Sequence, residues 1–177
     1  MATVETSGDG RRPAVSGPCR VADVRHFLAS YLYTDNTYFE YSYIPFGTEV
    51  LNKSKAFDNQ IFNMAMPDGM VVHESAIDSC ELVTARLLAQ AGLTVKDVDA
   101  FITSDQTTFT WKAQLQKMNV PAEKSASLFH KYGNTVAALS PINLHEMIQT
   151  GRLRRGMTVL FMAHGAGGSG GGLVFRY

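Results

Sequence analysis

The chain has 177 residues, of which 45% are hydrophobic and 18% are charged. That length and balance are enough to bury one substantial core, so we expect a single folded domain. Lysine plus arginine and aspartate plus glutamate each number 16, which gives a net charge of zero. This balance argues against a basic surface for nucleic acid and against a polybasic attachment to membranes.

Cysteine content and the opening segment point to an intracellular protein. The two cysteines, Cys19 and Cys80, lie far apart and match neither a disulfide framework nor a metal site. No apolar run approaches the length of a membrane-spanning helix, and residues 1–17 have no apolar stretch of the kind found in secretory signals. We therefore predict a flexible leader at residues 1–19, a folded domain at 20–177, and a cytoplasmic protein with no metal, no nucleic-acid partner and no membrane partner.

The first folded portion is rich in residues that favour extended structure. Residues 27–33 and 37–44 contain many Tyr, Phe and Thr side chains, and Asp35 and Asn36 between them are turn residues. This pattern predicts a hairpin or two neighbouring strands. Pro45 and Gly47 end it, and residues 51–63 form a polar, irregular connection.

A long helix is predicted over residues 70–91. Its apolar residues recur every three or four positions, at Val72, Ala76, Cys80, Val83, Leu87 and Ala91. The turn Pro67-Asp68-Gly69 precedes the helix, and Gly92 stands where a glycine ends helices. Cys80 lies on the apolar stripe, so we expect it to pack in the core and not to act as a nucleophile.

The remaining elements alternate between strands and helices. We predict strands at 100–103, 125–129, 158–163 and 173–177, a helix at 107–118, and a further helix within 135–149 that has Pro141 in its early turns. Near-continuous apolar strands that alternate with helices indicate an α/β sheet covered on both faces.

Three segments near the C-terminus form a recognisable set. They are Tyr132-Gly133-Asn134-Thr135, the turn from Gly151 to Gly156, and His164-Gly165-Ala166-Gly167-Gly168. Together with the order of elements, they resemble the C-terminal half of the ketoacyl-acyl-carrier-protein synthase III family, condensing enzymes with the thiolase fold. The resemblance runs over residues 20–177 and is closest at 132–135 and 151–177. It implies one thiolase-type half-unit, with a mixed sheet covered by helices.

The resemblance also implies site residues. The family uses a Cys-His-Asn catalytic set, and Asn134 matches its asparagine. Counting back from Asn134 places the family's histidine position on Ser104, and a shift of one residue places it on Asp105, so either way the imidazole is replaced. Gly165, Ala166 and Gly167 match the loop that forms the oxyanion and substrate wall. His164 borders that wall and is a candidate replacement for the missing imidazole.

The replacement of the histidine has chemical consequences. A serine can donate a hydrogen bond, but it cannot transfer protons near neutral pH as histidine does. An ionised Asp105 would repel a developing enolate, and a preorganised donor of the kind lost is worth about 3 kcal/mol. We therefore do not expect malonyl decarboxylation. The family's nucleophilic cysteine belongs to the other half-unit, and neither Cys19 nor Cys80 matches it.

Two hypotheses about function follow from the resemblance. The first is a component of an acyltransferase of fatty acid or polyketide biosynthesis. The enzyme would act on acyl-carrier-protein or coenzyme A thioesters. It would need no cofactor beyond the phosphopantetheine or coenzyme A of its substrate. A separate N-terminal half-synthase chain would then supply the cysteine. The second is a non-catalytic half-synthase that binds a synthase or carrier protein, or a truncated remnant. Ile77, Leu82 and Leu88 lie off the main stripe of the 70–91 helix, which predicts a second covered face and therefore the half-synthase chain or a second copy as partner.

Overall fold

The computed structural model describes residues 26–44 and 64–177. The predicted leader at 1–19, the start of the half-domain and the connection at 51–63 lie outside the described residues. Within them the chain forms four strands and four α-helices: β1 Phe27–Thr34, α1 Gly69–Ala91, β2 Ala100–Ile102, α2 Thr108–Lys117, α3 Phe129–Tyr132, α4 Leu139–Gln149, β3 Thr158–Gly165 and β4 Ser169–Arg176.

The strands form one mixed sheet in the order β1-β4-β3-β2. Strands β2 and β3 are parallel, with Ala100 opposite Val159, and the other neighbouring pairs are antiparallel. Because parallel strands end at the same edge of a sheet, the residues that follow β2 and those at the end of β3 lie side by side. That edge carries the candidate site.

Apolar side chains fill both faces of the sheet, as the near-continuous apolar strands predict. On one face α1 and α2 cover Phe101, Leu160 and Val174. On the other face Met147 of α4 packs with Ala100, Ile102 and Val159. The predicted α/β architecture with helices on both faces is thereby confirmed.

Helix α1 begins and ends as the sequence predicts. The Asp68 side chain accepts hydrogen bonds from the backbone N–H groups of Met70 at 2.9 Å and Val71 at 3.3 Å, which satisfies donors that a helix start leaves free. Gly92 ends the helix in the left-handed conformation, with φ 66°. The off-stripe residues differ from expectation, because Leu88 is only 6% exposed and packs in this chain's own core. Ile77 and Leu82 are half-buried.

The predicted strand at 37–44 is wrong, and so is the alternative of a hairpin with 27–33. Residues Asn36–Tyr41 form a 3-10 helix, because the Asp35 side chain accepts hydrogen bonds from the backbone N–H and the hydroxyl of Thr37 at 3.0 and 2.6 Å. Strand β1 instead pairs with β4. Local propensity favoured a strand, but the capping side chain turns the backbone away from the sheet.

The predicted strand at 125–129 is also wrong. Its polar groups pair with side chains: the Ser125 hydroxyl accepts a hydrogen bond from the Trp111 indole at 3.0 Å, and the Leu128 N–H donates to Asn143 at 3.0 Å.

The predicted last strand begins four residues earlier than expected, at Ser169, and includes Gly170. A side chain on Gly170 would collide with Ser79 and Tyr33, so only glycine lets this part of β4 lie between β1 and α1.

Candidate active site

An open cavity of about 930 Å³ lies at the edge where β2 and β3 end. Ser104 from the loop after β2, Asn134 from the turn before α4, and the segment His164–Gly167 at the end of β3 contribute to its wall, together with the first turns of α1 and α2. The structure therefore brings together in one cavity the asparagine, the serine and the glycine loop that the sequence singled out. Their catalytic roles remain predictions.

Asn134 is held by a turn of its own. Its side-chain Oδ1 accepts a hydrogen bond from the Val136 N–H at 2.8 Å, a local bond that asparagine forms readily in turns. Gly133 before it ends α3 with φ 68°, and Val136 after it also has a positive φ, of 55°. A β-branched residue in that region is strained. Because Oδ1 is occupied, the Nδ2 amide of this exposed side chain remains as a donor to a ligand.

The structure separates Ser104 from Asp105. Ser104 is 4% exposed and lines the cavity. Asp105 is fully buried and does not line it; its Oδ1 accepts a hydrogen bond from the Asn143 amide at 2.6 Å. Of the two alternatives that the sequence left open, Ser104 is the one in the cavity wall, and Asp105 ties the loop after β2 to α4.

The glycine loop forms a tight turn between β3 and β4. Gly167 and Gly168 both have positive φ, 70° and 76°, which glycine adopts without strain. The Gly168 carbonyl accepts a hydrogen bond from the Asp35 N–H at 2.9 Å, and a side chain on Gly168 would collide with the Asp35 carbonyl. This hydrogen bond fixes the loop beside the end of β1. Gly165, Ala166 and Gly167 lie in the cavity wall.

His164 lies in the same wall, on the second-last residue of β3. Burial lowers the pKa of its imidazole from 6.5 to about 4, since a charged ring is disfavoured away from water. The ring is therefore neutral at neutral pH. Its Nδ1 atom is buried and has no hydrogen-bond partner in the described part of the chain.

The sequence reasoning missed the contribution of the helix starts to this cavity. His73 of α1 hydrogen-bonds through Nδ1 with the Thr110 hydroxyl at 3.0 Å and stacks on the Phe109 ring, with the ring centres 4.5 Å apart. All three residues line the cavity. Nothing in the periodicity of either helix marks them, because their contact joins residues 37 positions apart. The one available signal was a large aromatic, Phe109, next to the polar start of α2.

Cys80 is a core residue, as predicted. It is fully buried in α1, and burial raises the pKa of its thiol to about 12. A thiol with that pKa is not a nucleophile near neutral pH. Cys19 lies outside the described residues.

The described residues show neither a metal-binding cluster nor a membrane-crossing helix. Residues 26–44 and 64–177 contain no cluster of three or more His, Cys, Asp or Glu side chains placed to hold a metal ion. Among the helices in those ranges, none combines the length and the apolar character needed to cross a membrane.

Comparison with known proteins identifies the family of the chain. The family model described as "3-Oxoacyl-[acyl-carrier-protein (ACP)] synthase III C terminal" matches residues 88–177. The chain is 34% identical over 170 residues to the β-ketoacyl-[acyl-carrier-protein] synthase III of Syntrophomonas wolfei, covering 96% of this chain and 51% of that protein.

Solved structures agree with the sequence matches. The crystal structure of the 3-oxoacyl-[acyl-carrier-protein] synthase III of Aquifex aeolicus superposes with a TM-score of 0.74 at 30% identity, over 89% of this chain and 46% of that one. The synthase III of Thermus thermophilus gives a TM-score of 0.74 at 26% identity, over 85% and 46%. The chain thus spans about half the length of the relatives it matches. It belongs to the 3-oxoacyl-[acyl-carrier-protein] synthase III C-terminal family and has the thiolase-like fold of those synthases.

Proposed function

We propose that this chain forms the C-terminal half of an acyl-transfer site that acts on acyl-carrier-protein or coenzyme A thioesters. In this role Asn134, Ser104 and the Gly165–Gly167 loop hold the thioester, and a complementary half-unit supplies the nucleophilic cysteine. The observation that carries the proposal is the shared cavity, which presents the unoccupied amide of Asn134, the Ser104 hydroxyl and the glycine loop in one wall.

Donors in the cavity suit the chemistry of a thioester. Attack on its carbonyl carbon moves negative charge onto the carbonyl oxygen, and fixed donors stabilise that charge. Asn134 Nδ2 and the Ser104 hydroxyl are donors of this kind. The acyl group passes to the attacking nucleophile, and the carrier thiol leaves with the proton.

Most of the accessible surface of the cavity is apolar, and large hydrophobic side chains among its lining residues are exposed. The exposed fraction of each is about half or more at Leu32, Met64, Met66, Met70, Phe109 and Val136. A contiguous apolar patch is uncommon on a monomer and marks a surface that a partner covers. The open side of the cavity would admit a thioester arm and receive the half-unit that supplies the cysteine.

The nucleophile has to come from outside the described residues. Within them the one cysteine, Cys80, is closed inside the core with a pKa of about 12. We propose that the complementary half-unit presents its thiolate to the cavity from the open side. The proposed reaction is therefore transfer of the acyl group from the thioester to that thiolate.

The test is native purification followed by mass spectrometry and acyl labelling. We expect a cysteine of the complementary half-unit, carried by a copurifying protein or by residues outside the described ranges, to become acetylated when the purified material is mixed with acetyl-coenzyme A. Asn134→Ala should slow transfer roughly 10²-fold, the usual effect of removing one such donor. Gln149→Ala, which removes an exposed amide at the end of α4, serves as the matched control and should leave the rate unchanged.

A second candidate function is a non-catalytic half-synthase that binds a synthase or carrier protein. The observation in its favour is Ser104, a side chain without acid–base capacity in the cavity wall. Copurification with a synthase or carrier protein, without acetylation of any cysteine, would decide for this alternative and against acyl transfer.

A further inference from the structure

One buried polar atom in the cavity wall stands out. Six buried side-chain oxygen or nitrogen atoms have no hydrogen-bond partner in the described part of the chain: Ser79 Oγ, Thr84 Oγ1, Asp105 Oδ2, Ser127 Oγ, Thr135 Oγ1 and His164 Nδ1. Of these six residues, His164 is the one that lines the large cavity. Asp105 and Thr135 border a separate, small void instead. An unpaired buried polar group costs about 1–3 kcal/mol, a cost that an apolar residue at position 164 would avoid.

The backbone around His164 is fixed. Position 164 pairs with Gly170 in the antiparallel ladder between β3 and β4, and the loop that follows is pinned by the hydrogen bond from Asp35 to Gly168. The ring is therefore presented to the cavity by a strand and not by a mobile loop. Groups carried on regular elements hold their positions most precisely.

The protonation state of the ring follows from its surroundings. Burial keeps the pKa near 4, so the imidazole is neutral at pH 7 and carries one N–H and one lone pair. Among backbone groups, a buried N–H without an acceptor is rarer than a buried carbonyl without a donor. By the same reasoning we assign the lone pair to the buried Nδ1 and the proton to Nε2. Nε2 is then an N–H donor with no partner in the described part of the chain.

The other histidine of the cavity wall differs in both respects. The His73 ring already uses Nδ1 in its hydrogen bond with Thr110, and its face is stacked on Phe109. The Nδ1 atom of His73 is already hydrogen-bonded within the protein, so no ligand is needed to explain a histidine at this position. His164 has no such partner within residues 26–44 and 64–177.

We propose that His164 donates a hydrogen bond from Nε2 to the carbonyl oxygen of a thioester bound in the cavity, beside the Asn134 amide. The inference rests on the proposed acyl-transfer function and adds a catalytic residue to it. A neutral imidazole stabilises the negative charge that develops on the oxygen without giving up its proton. No bond to His164 forms or breaks, so the ring is unchanged at the end of the reaction.

Infrared spectroscopy of a bound thioester tests this directly. The probe is acetyl-coenzyme A that carries carbon-13 at its carbonyl carbon, added to the natively purified protein with its copurifying partner. We expect the carbonyl stretch of the bound thioester to lie at lower frequency than in water, because a donor polarises the bond. In His164→Phe, which keeps a ring and removes both nitrogens, most of that shift should disappear, and kcat should fall roughly 10²-fold with little change in KM.

Two further variants keep the test decisive. His164→Gln retains an N–H donor and should recover part of the frequency shift, which also serves if the Phe variant folds poorly. His145→Phe changes an exposed histidine of α4 outside the cavity wall and should match the unsubstituted protein. A His164→Phe protein with an unchanged carbonyl frequency and kcat would overturn the inference alone. If the unsubstituted protein shifts the carbonyl band, His164→Phe does not, and no acyl group reaches any acceptor, His164 is a donor to the bound thioester and the proposed function is refuted.

Discussion

The buried pair Asp105 and Asn143 makes the sharpest prediction about stability. Asn143 is 1% exposed, and its side chain makes two hydrogen bonds: Nδ2 donates to Asp105 Oδ1 at 2.6 Å, and Oδ1 accepts from the Leu128 N–H at 3.0 Å. Asn143→Ala removes both. The Asp105 carboxyl group then has no partner on either oxygen, because Oδ2 is already unpaired within the described residues.

The size of the effect can be worked out from these contacts. A hydrogen bond to a buried carboxyl group contributes roughly 1.5–3 kcal/mol, and a half-buried N–H left without an acceptor costs about 1 kcal/mol or more. We expect Asn143→Ala to lower the free energy of unfolding by about 4 kcal/mol. With an m-value of about 2 kcal/mol per molar in urea, the unfolding midpoint should fall by about 2 M.

Asp105→Asn is the matched control. The amide at position 105 keeps an oxygen that can accept the hydrogen bond from Asn143 Nδ2, so no buried donor loses its partner. We expect a change of about 1 kcal/mol or less in urea unfolding at pH 7. If Asp105→Asn is as destabilising as Asn143→Ala, or if Asn143→Ala unfolds at the original midpoint, the explanation by an unpaired carboxyl group is wrong.

Three further outcomes are expected. First, the free energy of unfolding depends on the protonation of His164. Unfolding raises the pKa of the imidazole from about 4 to the ordinary 6.5, so the free energy of unfolding is highest above pH 6.5 and falls by about 3 kcal/mol as the pH drops toward 4. Urea titrations across this range should show that decrease, and His164→Phe should lack the part that His164 causes. Second, Cys80, with a pKa of about 12, should resist iodoacetamide at pH 8 in a Cys19→Ser background until urea unfolds the protein; rapid labelling of the folded chain would contradict its burial. Third, the purified chain at micromolar concentration should sediment as an oligomer or bind a hydrophobic dye through the patch around Met70 and Phe109, whereas a dye-negative monomer would refute the partner surface.

Much of the fold follows from local sequence. The helix at Gly69–Ala91 was predictable because its apolar residues recur every three or four positions between an aspartate cap and a glycine stop. The strands β2 and β3 were predictable because short apolar runs between helices are typical of buried strands. The predicted helix within 135–149 became α4, with Pro141 as its third residue, where the missing N–H costs nothing.

The failures have a common cause. Residues 37–44 and 125–129 were predicted as strands, but a strand also needs a neighbour for its backbone groups. The Thr37 N–H is instead satisfied by the Asp35 side chain, and the Leu128 N–H by the Asn143 side chain. A side chain that accepts a backbone hydrogen bond overrides propensity, and sequence patterns do not show which distant side chain will do so.

The sequence by itself indicated the family, the asparagine turn and the glycine loop, and it predicted that the family's imidazole is replaced at the position of Ser104 or Asp105. Only the tertiary structure decided between those two residues, because one backbone step reverses the direction of a side chain: Ser104 meets the cavity and Asp105 meets Asn143. It also showed that Asn134 uses its Oδ1 in its own turn, and that His164 lines the same cavity with an Nδ1 that has no partner among residues 26–44 and 64–177. These properties depend on contacts between β2, β3 and α4, which are distant in the chain and adjacent only after folding.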